Sequence, residues 1–120
     1  LDESEQQAVL SYFKSLSLFE ELTIGGQKFF LAHTVPEKSK MLNIDSCRIS
    51  DFIMGEPEYE KMYFEDAIIV TGHTPTGFID PDYTGRIWKG NNHIAIDCGA
   101  VFGNPLGCIC LDTMEEIYVE

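Results

Sequence analysis

Two histidines of this chain stand in matching places. His33 closes the apolar run Phe29-Phe30-Leu31-Ala32, and His73 follows Ala67 to Thr71 after one intervening glycine, Gly72. Each is followed by a threonine, Thr34 and Thr74. Runs of this composition predict strands, and in α/β sheets functional groups gather at the carboxyl ends of strands, where the loops diverge. An imidazole held there by rigid backbone presents a nitrogen to a metal ion or a phosphate. Gly72 is expected to allow a close backbone approach or an unusual dihedral before His73, and Pro75 to stiffen the loop after it. A single histidine at a strand end commonly does no more than pack; the matched pair is read here as one site. Two chemistries use such a pair. In a two-metal phosphoesterase, histidines join carboxylates in clamping the metals. In a metal-free phosphodiesterase with two His-x-Thr motifs, one histidine is the base and the other the acid. The second needs Thr or Ser two positions after each histidine, where this chain has Val35 and Pro75, and it is rejected.

The elements that must position the pair follow from local pattern. Asp2 or Ser4 predicts a helix cap, with Glu5 or Gln7 as the reciprocal partner, and Ala8, Val9, Tyr12, Phe13 and Leu16 recur at helical spacing. Leu22 to Ile24 and Lys28 to Ala32 flank Gly25-Gly26 and predict a hairpin. Residues 34–51 read as loop with one helical turn. Glu56 to Asp66, with Pro57 at a first-turn position, predicts a short acidic helix. Strands are expected at Ala67–Thr71, His93–Asp97, Gly107–Asp112 and Glu116–Val119, and a loop or small hairpin over Phe78–Lys89.

At this point the motifs resemble a known family. Val70-Thr71-Gly72-His73-Thr74-Pro75-Thr76 is similar to the Gly-His-Thr-Pro motif of calcineurin-like metallophosphoesterases, in particular the branch of bacterial serine/threonine protein phosphatases and diadenosine tetraphosphatases. Ile96-Asp97-Cys98-Gly99-Ala100-Val101-Phe102-Gly103 resembles that branch's closing Ile-Asp-x-Gly-Ala-x-x-Gly signature, and Phe30-Leu31-Ala32-His33 matches the strand that ends in the other downstream metal-binding histidine. The resemblance implies that His33 and His73 are ligands of one metal in a dinuclear centre of Mn²⁺, Fe or Zn²⁺, with Gly72, Thr74, Asp97 and Gly99 as supporting motif residues. It implies hydrolysis of phosphomonoesters on a phosphorylated protein or a nucleotide. The chain departs from the pattern after His33, where Thr34-Val35 replaces the more usual Ala-Gly and a bulkier loop must fit. The family's upstream motifs, Gly-Asp-x-His, Gly-Asp-x-x-Asp-Arg and Gly-Asn-His, are missing, and no Gly-Asp dipeptide occurs. Residues 1–120, which begin with Leu1, are therefore expected to be a C-terminal fragment of such a domain, inactive alone and holding metal weakly or not at all. No catalytic acid and no phosphate-binding residue is assigned; Arg48 and Arg86 are the only arginines.

The expected architecture is mixed α/β (α+β): the C-terminal half of a layered β-sandwich with a mixed sheet, flanked by helices. Half a sandwich leaves apolar surface uncovered, so self-association is expected. The competing expectation is a non-catalytic interaction module that keeps half of the fold, with both histidines merely packed.

Composition narrows the partners. Eight Lys and Arg against twenty Asp and Glu give a net charge of −12, which repels nucleic acid and anionic membrane surfaces. No segment has the pattern of a membrane span or a signal peptide, and a cytoplasmic location is expected. Cys47, Cys98, Cys108 and Cys110 have neither disulfide-scaffold nor zinc-site spacing and are read as free thiols behaving as small hydrophobes, with Cys108 and Cys110 on one strand face. His93, Trp88 and the tyrosines are expected to pack, and Asp97 to satisfy backbone donors near Gly99.

Overall fold

Asp2 starts the first helix, α1 (Glu3–Ser15), with the reciprocal cap expected: its carboxylate accepts from the Glu5 amide at 2.9 Å, and Glu5 accepts from the Asp2 amide at 2.8 Å. The computed structural model describes residues 1–120. The apolar stripe of α1 covers nothing; no residue of the helix is buried, and Tyr12 and Phe13 are about three-fifths exposed.

Gly25 and Gly26 take left-handed φ of 55° and 85°, the tight turn that joins β1 (Phe19–Ile24) to β2 (Gln27–Ala32) as an antiparallel hairpin. Strand β2 then pairs in parallel with β3 (Ala67–Thr71), and β3 in parallel with β5 (His93–Ala95). A short β4 (Trp88–Gly90) lies antiparallel to β5, so the sheet runs β1-β2-β3-β5-β4. Fold class is as expected: a five-stranded mixed sheet, a separate hairpin of β6 (Leu106–Cys110) and β7 (Glu115–Val119), and short helices.

Side-chain alternation splits the core in two. On one face Phe30 and Ile69 pack under residues 34–64, which contribute Val35, Met41, Phe52 and Tyr63. That segment holds α2 (Lys38–Met41) and α3 (Ile49–Ile53). On the other face Phe29, Val70 and Ile94 pack with Ile87 and Cys98, and Ile109 and Leu111 lie against them. Tyr118 and Glu116 tie the β6–β7 hairpin down, the Tyr118 hydroxyl accepting from the Ile87 amide at 3.1 Å and Glu116 pairing with Lys89.

Several local expectations are corrected. Glu56 to Asp66 forms no helix. Glu58 instead accepts from the Lys38 amide and its own amide donates to the Tyr63 hydroxyl, which donates to the Pro36 carbonyl at 2.8 Å, so long-range bonds override helical spacing. Of the loop or small hairpin expected over Phe78–Lys89, the structure has the loop, with a one-turn helix α4 (Thr76–Ile79) leading into a 3₁₀ turn at Pro81–Tyr83; the tight hairpin turn falls later, at Asn91-Asn92, both left-handed. All four cysteines are free, but only Cys98 is buried; Ile109 faces the core and sends Cys108 outward.

Only 18 of 120 residues are buried. A folded monomer of this mass exposes about 6,500 Å² with a radius of gyration of about 14 Å. This chain exposes 7877 Å² at 15.6 Å, because α1 and much of the hairpin surface stand free. No helix is long and apolar enough to cross a membrane.

Candidate functional site

The carboxyl ends of the parallel strands β2, β3 and β5 lie side by side and lead into His33, Gly72-His73 and Asp97. The register sets Ala32 beside Thr71, and the ladder runs one step further, the Gly72 amide donating to the His33 carbonyl at 3.0 Å. Adjacent backbones thus deliver the two imidazoles to one place. His33 Nε2 and His73 Nδ1 stand 2.9 Å apart, with the rings inclined at 68° and both side chains open to solvent. Thr34 and Val35, the bulkier loop after His33, are fully buried, and the Thr34 hydroxyl donates to the Gly55 carbonyl at 3.0 Å. The loop therefore fits by turning under the sheet, away from the histidines.

The unusual dihedral belongs to His73 rather than to Gly72. His73 has φ 65°, and the Thr74 amide donates back to the Gly72 carbonyl at 2.8 Å, which makes residues 72–74 a γ-turn of the rare positive-φ kind. A non-glycine residue there costs about 1–3 kcal/mol, strain of the sort that collects at functional sites. A Cβ on Gly72 would meet only the His33 carbonyl oxygen at 3.9 Å, so this glycine is not required by space. Gly99 is different. It is left-handed at φ 82°, buried, and an added Cβ would lie 2.8 Å from Asn104 Nδ2. Its amide donates to Asp97 Oδ1 at 2.9 Å, the backbone role expected of Asp97, whose own carbonyl accepts from Thr76 at 2.8 Å.

Near the pair lies His93, which is packed as the sequence led us to expect. His93, 2% exposed, bonds through Nε2 to the Thr71 hydroxyl at 2.7 Å, while its Nδ1 has no partner. Burial alone pulls its pKa down to about 4, so the ring is neutral. Tyr59 stacks on it with centroids 4.8 Å apart. The Tyr59 hydroxyl is enclosed and has no hydrogen-bond partner. Burial pushes this phenol's pKa up. Tyr59 fell inside the segment read as an acidic helix, and its spacing carried no signal of this contact.

Two nitrogens bound at about 2.1 Å on one metal stand about 3.0 Å apart at the right angle of octahedral coordination and about 3.4 Å apart in a tetrahedral site. The 2.9 Å between His33 Nε2 and His73 Nδ1 is a hydrogen-bond distance with one ring as donor and lies near the octahedral separation, not the tetrahedral one. No group of three or more His, Cys, Asp or Glu side chains able to hold a metal ion is present, and Asp97 is turned to its loop instead. A hollow of about 280 Å³ beside His33 is lined by Leu18, Leu31, Val70 and Ile96. A larger one of about 430 Å³ lies by Lys28 and Ala67, at the opposite strand ends and away from the histidines. Comparison of the chain with protein-family models, curated proteins and solved structures returns no match in any of the three.

Proposed function

We propose that this chain carries half of the metal site of a phosphoesterase of the serine/threonine phosphatase type, which cleaves phosphomonoesters at a dinuclear centre in the intact protein. The observation that supports it most is the convergence of His33 Nε2 and His73 Nδ1 to 2.9 Å at the ends of adjacent parallel strands. Mn²⁺, Fe or Zn²⁺ would suit these imidazoles, the remaining ligands coming from outside the pair. Bound metals supply polarisation of a phosphoryl oxygen and acidification of an attacking water. His33 and His73 fix position, and Asp97 and Gly99 hold the neighbouring loop. A chain of net charge −12 repels a phosphate dianion, so its substrate needs cationic compensation at the site.

The test is Mn²⁺-stimulated hydrolysis of p-nitrophenyl phosphate by this chain and by any longer product of its gene. Activity in the longer form, abolished by His73→Ala, is expected. Absence of activity from both moves the assignment to a non-catalytic interaction module. The exposed apolar stripe of α1 favours that second reading, under which alanine at both histidines leaves partner binding intact.

A further inference from the structure

Two apolar surfaces of this chain face solvent, one towards each edge of the sheet. On α1, Val9, Tyr12, Phe13 and Leu16 recur at three- and four-residue spacing and form one stripe, with no residue of the helix buried. The second lies on the β6–β7 hairpin, whose register sorts its side chains between two faces. The directly opposed pairs Gly107–Tyr118 and Ile109–Glu116 face inward. A Cβ on Gly107 would lie 2.5 Å from Cys98 Sγ, Ile109 packs on the core, Tyr118 reaches Ile87 and Glu116 pairs with Lys89. The alternate pairs Leu106–Val119 and Cys108–Ile117 therefore point outward, and Leu106, Ile117 and Val119 are half exposed or more. With Cys108 as a small hydrophobe, these side chains make an apolar patch that suits a helix stripe.

The chain's own helix does not reach that patch. Leu16 lies three residues before Phe19, the first residue of β1, and so stays within about 11 Å of it. The hairpin is fastened to Lys89 in β4, and β1 and β4 are the two edges of a five-stranded sheet, about 19 Å apart. A second copy has no such tether. The surface it needs is there: the chain exposes 7877 Å², about 1,300 Å² beyond a compact monomer of its mass, and each partner of a standard interface gives roughly 800 Å². Because helix and hairpin sit towards opposite edges, two chains laid antiparallel make both helix–hairpin contacts at once, and a two-fold pair closes.

We infer that the chain pairs with a second copy of itself, α1 of each protomer lying on the outward face of the other's β6–β7 hairpin. The pairing does not depend on the metal reading, whose test reads phosphate hydrolysis. The contact is apolar and joins chains of net charge −12, so salt that screens their repulsion should strengthen it.

Light scattering of the full chain at micromolar concentration tests this, with reductant present so that Cys108 forms no disulfide. The parent should give about twice 13.5 kDa, and Phe13→Glu or Ile117→Lys alone about 13.5 kDa. Both positions are exposed, so each variant should keep the parent's circular dichroism. An equimolar mixture of the two variants should return to the doubled mass, because one contact then joins the native Phe13 and Ile117 and the other joins opposite charges. A monomeric parent overturns the inference, whether the stripe then meets another protein or nothing. So does a dimer that survives either substitution, the result expected of helix-to-helix or hairpin-to-hairpin pairing, and so do variants that stay monomeric when mixed. Dissociation of the parent by added salt overturns the apolar contact, and a mass that climbs with concentration beyond two copies overturns the closed pair.

Discussion

His93 makes the stability of this fold sensitive to mild acid, and the size of the effect follows from its burial. The ring lies under Tyr59, Tyr63 and Trp88 and bonds Thr71, with no charged group among the causes of its shift. Its pKa falls from 6.5 in the unfolded chain to about 4 in the fold. The sign is that of a base buried neutral: below 6.5 the unfolded chain binds the proton first, so stability is complete above that pH and is lost as the pH falls towards 4. The loss is about 2 kcal/mol near pH 5 and about 3 kcal/mol near pH 4. Asp51 and Glu58, held below the usual carboxylate range by their hydrogen bonds to the Arg48 amide and the Lys61 ammonium, act in a more acidic window. Urea unfolding followed by the fluorescence of Trp88, the one tryptophan, measures this directly. His93→Gln keeps a neutral amide that reaches for Thr71 and does not titrate. It should lower stability at neutral pH and remove most of the fall between pH 7 and pH 5. Parallel pH curves for the two proteins, or a parent curve flat down to pH 5, would refute the reasoning.

Four further outcomes follow from the same geometry. His73→Gly should raise the melting temperature, by relief of up to about 1 kcal/mol of backbone strain, while destroying the imidazole pair; Gly72→Ala should cost less than about 1 kcal/mol, because only one atom lies near the new methyl. Gly99→Ala should cost about 1–3 kcal/mol in denaturant unfolding, since it meets both a left-handed backbone and Asn104. The surface beyond that of a compact monomer, about 1,300 Å² on one chain, exceeds the roughly 800 Å² that each partner gives to a standard interface, so light scattering at micromolar concentration should give at least twice 13.5 kDa. A clean monomer there would count against pairing of two copies.

The strands were legible where local chemistry and tertiary demand agree. Gly25-Gly26 can form the primed turn that the hairpin requires, and the runs before His33 and His73 are apolar because both faces of β2 and β3 are covered. Asn91-Asn92 forms an equivalent turn, but two asparagines are a weaker signal than two glycines, and β4 went unread. The acidic segment was misread because helical spacing of Tyr59, Met62 and Tyr63 is also compatible with an irregular chain whose tyrosines are pulled inward one at a time. What holds Tyr63 is a carbonyl 27 residues away in sequence, at Pro36, and no local pattern encodes such a bond.

The histidine pair shows the same division at finer scale. Two histidines at matching strand ends could be found in the sequence, because parallel pairing turns equal position along a strand into proximity in space. The strained residue could not. A glycine before a histidine invites the reading that the glycine carries the unusual backbone, yet Gly72 is conformationally ordinary and His73 bears the positive φ. At φ 65°, two residues beyond the end of β3, His73 presents Nδ1 to His33 Nε2. The energy stored in the turn thus accompanies the approach of the two ring nitrogens to 2.9 Å.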